Sequence, residues 1–407
     1  MRAKAQSYIN ALSSYGLLDL TIVSLLTMGA TGMLAPVLPL HLKATGISPE
    51  QIGFIYTSFQ IALATGEISW GSLTDRIGMK IPLVIGMALA GISVAGLSAT
   101  GSIAAIYIFN IGRALGTSAL FPIGRGHIGA TVPVNRRATI MAVYMTVQAS
   151  GRTLGSFLSG FLGSQSLVLA LRVSAGMLLA ASLTAAFLFQ KAAPARIEVP
   201  LPIKPADDPK PRRISKSQVA NVITVGSIIT FYHASIGSRS AFLSLHAVSA
   251  ANMSVTQVGF LFTLMSMVGL FFTIPLGRLA DRLGWHKAMT IGLLALAASM
   301  AGFAYASTFF LFILAGIFIG LSSGIFRPAA NARFSQTMSQ RRQATAMGVL
   351  GVFEDTGNMI GPAVGGVLWE SRLGPPAAFL VGTVGGILGA LCNLIFLRKK
   401  PASNPVA

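Results

Sequence analysis

A single cysteine, Cys392, stands among the 407 residues, so the chain can form no intramolecular disulfide and no cluster of thiolate metal ligands. Acidic residues are also scarce. Asp and Glu together number 11, and all charged types make up only 10% of the sequence, too few to line the polar faces of a soluble helical domain. Missing too are His-x-x-x-His, Cys-x-x-Cys and a glycine-rich phosphate loop. The chain is therefore expected not to be an enzyme, and to hold no metal and no cofactor.

What is abundant is apolar. Of all residues 53% are hydrophobic, and they come in runs of roughly 20, the length of a helix that crosses ~30 Å of hydrocarbon. Glycine numbers 44, above the ~7% of ordinary chains, which suits membrane helices that approach through small residues. This describes an all-α integral membrane protein. The formal charge of +19 would suggest nucleic acid in a soluble protein, but its distribution argues for membrane topology instead. With both termini cytoplasmic, about 21 of the 30 Lys and Arg fall in tails and inner loops, and only Lys43 and Arg372 in outer ones. The expected partners are a small-molecule substrate, protons and membrane lipids, without nucleic acid, and the expected state is monomeric.

An internal repeat organises the sequence. The stretch Gly71-Ser72-Leu73-Thr74-Asp75-Arg76-Ile77-Gly78-Met79-Lys80 returns as Gly277-Arg278-Leu279-Ala280-Asp281-Arg282-Leu283-Gly284, followed by Trp285, His286 and Lys287. At the same spacing Gln51-Ile52-Gly53-Phe54 returns as Gln257-Val258-Gly259-Phe260, Pro122 as Pro328, and Gly151, Gly155 and Gly160 as Gly357, Gly361 and Gly366. A doubling at half the chain length means two similar domains rather than a solenoid of short repeats. The Asp-Arg stretch is similar to the loop between the second and third helices of major facilitator superfamily transporters, and the chain resembles that superfamily over nearly its whole length. The resemblance implies twelve transmembrane helices in two six-helix halves related by an axis along the membrane normal.

On that pattern the N-terminal half spans 1–190, a basic, proline-rich cytoplasmic linker 191–216, the C-terminal half 217–397, and a basic tail 398–407. Within the halves, helices are expected near 16–39, 51–71, 82–99, 103–125, 138–163, 167–190, 219–245, 256–277, 288–307, 309–332, 344–369 and 377–397. The resemblance also assigns a conformational latch to the Asp-Arg loops: Asp75 as the latching carboxylate, with Gly71, Arg76, Gly78 and Lys80 in support and Asp281 and Arg282 as their counterparts.

Arg113 falls roughly 14 Å into the fourth helix at ~1.5 Å per residue. Its surroundings resemble the superfamily's R-x-x-q-G element, with Leu115 in place of the usual polar residue. A charge at helix centre costs roughly 2.5 to 3.5 kcal/mol on insertion scales, so something must offset it: a cavity role, or an ion pair. Gly151-x-x-x-Gly155-Ser156 and Gly357-x-x-x-Gly361-Pro362 resemble the G-x-x-x-G-P element of antiporters, with Ser156 replacing proline in the first copy. The same glycines also read as a packing seam whatever the transport direction.

Intramembrane acids are few: Asp19, Glu67, Glu354 and Asp355. Asp19 and Glu67 lie within a turn or two of the cytoplasmic face, where they are further candidates for proton coupling or pair with a neighbouring Lys or Arg. Glu354 and Asp355 lie deep in the eleventh helix, where desolvation favours the protonated form unless an Arg sits beside them. One of the two is expected to couple transport to protons, together with Arg113. Arg113, Arg152, His233, Arg239 and Arg327 are the candidate cavity residues. The resulting expectation is a proton-coupled secondary transporter of the inner membrane of a prokaryote, resembling the drug and metabolite antiporters and exporting a small amphiphilic or anionic molecule. Uptake of an organic anion by proton symport, or a transport-inactive sensor or lipid-handling protein on the same scaffold, are the alternatives.

Overall fold

The computed structural model describes residues 15–189, 216–337 and 343–396. The basic N-terminal tail, the linker apart from Lys216, and the C-terminal tail lie outside the described residues. Among the described residues twelve helices follow one another and there is no strand. They are α1 (Leu18–Ala44), α2 (Pro49–Ile77), α3 (Lys80–Leu97), α4 (Ile103–Thr131), α5 (Val134–Gln165) and α6 (Leu167–Leu188). The second set comprises α7 (Lys216–Ala251), α8 (Val255–Leu283), α9 (Trp285–Tyr305), α10 (Phe309–Ser335), α11 (Gln343–Glu370) and α12 (Ala377–Phe396).

Nine of the described helices are long and apolar enough to cross a membrane by composition alone; α2, α5 and α11 fall short. The shortfall follows from what these helices carry. Glu67, Arg152, Glu354 and Asp355 are on them, and membrane helices tolerate such residues where they line an interior or a polar cavity.

Several helices run past their expected ends. α2 continues to Ile77 and α8 to Leu283, so Gly71, Asp75, Arg76, Asp281 and Arg282 lie in terminal helical turns rather than in a loop. Charged residues there read as a loop in the sequence, yet a helix that emerges into water keeps its hydrogen bonds and sheds only its need for apolar side chains. The turn itself contracts to the residues around Gly78 and Gly284, both at φ +80°. That left-handed conformation is the reason for glycine at both positions.

α4 divides at Ala119 into Ile103–Ser118 and Leu120–Thr131. Pro122 has no N–H to give the Ser118 carbonyl, which accounts for the break. Hydroxyls within the apolar runs satisfy themselves on the preceding turn: Thr27 Oγ1 donates to the Val23 carbonyl (2.8 Å), and Thr117 Oγ1 to that of Arg113 (2.9 Å).

The contacts group into two units. In the first, α1 packs between α5 and α6, and α3 between α4 and α6. In the second, α7 packs between α11 and α12, and α9 between α10 and α12, the same pattern one repeat later. The division departs from the linear halves at one point in each: Ser48–Thr57, which includes the start of α2, groups with the second unit, and Ser254–Thr263, which includes the start of α8, with the first.

The seam glycines explain the closest packing. A Cβ on Gly155 would collide with the Gly29 carbonyl, and one on Gly32 with the Arg152 carbonyl. In the second unit a Cβ on Gly357 would strike the Thr230 carbonyl, and one on Gly361 that of Ala234. Ser156, the departure from the proline of the family pattern, donates its hydroxyl to the Gly32 carbonyl at 3.0 Å and so ties α5 to α1.

Candidate functional site

The second unit builds a titratable cluster on the α7–α11 seam. Glycine at 357 and 361 lets α11 lie against α7. At this distance His233, almost wholly buried, reaches two α11 side chains. Its Nε2 lies 3.6 Å from a carboxylate oxygen of Glu354, and its Nδ1 lies 3.4 Å from Nδ2 of Asn358. Glu354 and Asn358 are four apart and share a helix face. Glu354 sits about 17 Å along α11 from Gln343. Asp355 is half-buried and turned about 100° away around the same helix.

Further along α7 comes Arg239. Its Nη1 points at the thioether sulfur of Met265 on α8, 3.7 Å away, and among the described residues its Nε has no hydrogen-bond partner and no carboxylate forms an ion pair with it. Tyr232, one turn of α7 before Ile236 and two before Arg239, is buried and stacks on Phe326 with ring centroids 4.1 Å apart. The charges of both Arg239 and Arg327 act on its hydroxyl, and that of Arg327 also on His233. Arg327 itself is exposed on α10.

In the first unit Arg113 is buried on α4. Its Nη2 donates to Oδ1 of Asn110 at 2.8 Å, and its guanidinium carbon stands 4.0 Å from the ring centroid of Phe59. These contacts supply part of the offset that a charge at this depth requires. Arg152 is exposed on α5, with Nη2 3.5 Å from the sulfur of Met28. Glu67 and Asp19 are half-buried on α2 and α1.

The sequence reading missed Asn358, Asn110, Phe59 and Tyr232. Asn358 and Asn110 were findable in principle, as polar residues at helical spacing from Glu354 and Arg113; Phe59 was not, because its partner lies on another helix. Asp75, Arg76, Asp281 and Arg282 are exposed, and among the described residues neither aspartate forms an ion pair. Gly71 faces the Pro122 ring, its Cβ position 3.7 Å from that of Pro122, while Trp70 Nε1 donates to the Leu115 carbonyl at 2.6 Å. The end of α2 is thereby fastened to the break in α4.

A duplicated twelve-helix array with buried charges on seam helices has a counterpart among known families. The sequence profile of the Major Facilitator Superfamily matches residues 20–242 and 225–407. The chain belongs to this superfamily. Among its relatives are Multidrug resistance protein 2 of Bacillus subtilis (strain 168), 22% identical over 91% of this chain and 92% of that protein, and Multidrug resistance protein MdtG of Klebsiella pneumoniae (strain 342), 24% identical over 93% and 92%. The crystal structure of the nucleoside transporter NupG superposes with a TM-score of 0.77 over 94% of this chain and 99% of that one, at 16% identity. The superfamily member is thus a multi-pass membrane transporter and not an enzyme, and its fold is the one the repeat implied.

Proposed function

We propose that this transporter is a proton-coupled exporter of the inner membrane that moves a small amphiphilic or anionic molecule by alternating access, as a monomer with both termini cytoplasmic. It takes its energy from the proton gradient and needs no cofactor. The observation that carries the reading is the His233–Glu354 pair, 3.6 Å apart and hydrogen-bonded onward to Asn358. A carboxylate beside an imidazole, about 17 Å along a membrane helix, is a group that can exchange one proton per cycle. The names of the two bacterial relatives support export of drug-like molecules. Asp355, Asp19 and Glu67 remain secondary candidates for coupling, with Arg113 and Arg152 as polar groups of the first unit.

The test uses purified protein in liposomes with an imposed pH gradient and two probes, the lipophilic cation ethidium and the anion benzoate. Export by exchange predicts that probe moves against the proton flow and that Glu354→Gln stops this movement. Movement of probe with the proton flow would defeat it.

One observation favours a second reading, uptake of an organic anion by proton symport. Arg239 has no carboxylate partner among the described residues, and Arg327 adds a second positive charge around Tyr232. A buried guanidinium without a counterion is stabilised by an anion that arrives with the cargo.

A further inference from the structure

The second unit carries an apolar groove bounded by α7, the end of α11 and α12, with a cavity volume of about 340 Å³. Its lining includes Phe231, Leu373, Val384, Gly385 and Leu388. Phe231, Leu373, Val384 and Leu388 are all exposed, Leu373 to 70%. The groove does not belong to the His233–Glu354 cluster, and none of the groups considered for transport lines it.

Three features define what fits. From Ala377 to Leu388 the groove follows α12 for about 17 Å, close to half of a ~30 Å hydrocarbon core. That is the depth of one leaflet, and so the reach of one acyl chain. The lining is apolar throughout, so nothing in it asks for a hydrogen bond. Arg372, which precedes the lining residue Leu373 in the chain, is exposed and has no ion pair among the described residues. The other charge at this end, Glu370, accepts the backbone N–H of Glu50 at 3.3 Å. A guanidinium one residue from an apolar slot of one-leaflet length matches a lipid with a phosphate headgroup.

We propose that this groove is a binding site for a phospholipid, with one acyl chain along α12 between Phe231 and Leu388 and the headgroup phosphate on Arg372. Gly385 makes the space: the three atoms nearest to a Cβ there all belong to Phe231, at 3.7 to 3.8 Å, which is ordinary van der Waals contact, so a side chain is accommodated without moving the backbone. Glycine thus leaves open a slot that a larger residue would fill.

The test is native mass spectrometry of the full chain in detergent, titrated with dioleoyl phosphatidylglycerol, with inorganic phosphate as a control. Wild type is expected to hold a lipid that survives delipidation. Arg372→Gln, a surface change that leaves folding intact, should weaken binding roughly fivefold, and Gly385→Leu should abolish it, while phosphate alone does not bind. Equal lipid retention by all three proteins would overturn the site. So would a dimer of wild type that disappears in Gly385→Leu, because the groove would then belong to a second copy of the chain.

Discussion

His233 on α7 and Glu354 on α11 stand 3.6 Å apart, and the spacing exists because Gly357 lets the backbones of the two helices touch. If this pair carries the proton, neutralising it separates binding from coupling. Glu354→Gln should lose at least tenfold in pH-driven transport while still binding cargo, since it keeps shape and removes only the titration. Asp355→Asn, rotated off the His233 face, should lose much less. Proteoliposome flux measured beside a binding assay checks both, and equal loss in the two variants would defeat the assignment.

A different dependence is expected at Arg113. Its guanidinium is held by Asn110 and by the face of Phe59 at 4.0 Å. Phe59→Leu should cost about 0.5 to 2 kcal/mol through loss of the cation–π contact. Arg113→Lys keeps the charge but not the planar stack, and should fall between wild type and Arg113→Gln in thermal stability. A thermal melt in detergent reads the order of the three.

How much of this was legible beforehand depends on what each feature needs. The repeat was visible because backbone demands are local: glycine recurs at 78 and 284, and both sit at φ +80°. The seams were visible for the same reason, since Gly155 and Gly361 answer a close approach that leaves no room for a Cβ. The helix ends were misjudged because Asp75 and Arg76 look like loop residues whether the chain is helical or not. Phe59 could not be paired with Arg113, nor Asn358 with His233, because those pairings join helices whose mutual rotation no linear pattern encodes. The grouping of Ser48–Thr57 with the second unit was hidden likewise, for sequence neighbourhood suggests the opposite.

The seam glycines should be the least forgiving positions. A valine at 155 or 361 must push α5 from α1 or α11 from α7, because the atoms in the way are the backbone carbonyls of Gly29 and Ala234. Overpacking of this sort costs about 1 to 3 kcal/mol, with the upper part expected where backbone must move. Gly176→Ala, with nothing within 4 Å of its Cβ position, is the control and should be near neutral. Yield of monodisperse protein and melting temperature decide the matter.

At the helix ends, Gly78→Ala and Gly284→Ala should each destabilise by about 1 to 2 kcal/mol, since each forces a Cβ into the left-handed region. The two lie in different units and share no partner, so their effects should add. If the resemblance of the first copy to the family's latch is meaningful, Asp75→Asn should slow turnover while leaving the melting temperature unchanged, and Asp281→Asn should do less. Matching effects on turnover would mean that both loops only set topology.

The pH dependence of cargo binding separates exchange of a cationic amphiphile from symport of an organic anion by sign. A proton on Glu354 removes a negative charge from the second unit. A cationic cargo therefore competes with that proton, and its affinity should fall as the solution is acidified. An anionic cargo held near Arg239 is helped by the same proton, and its affinity should rise. Linkage makes each effect reciprocal, with roughly fivefold or more between the protonated and ionised states. Titrating ethidium and benzoate in acidic and alkaline buffer measures both slopes. Acid-weakened ethidium binding that becomes flat in Glu354→Gln supports exchange, whereas acid-strengthened benzoate binding lost in Arg239→Gln supports symport. A slope that persists in Glu354→Gln would move the coupling proton to another group.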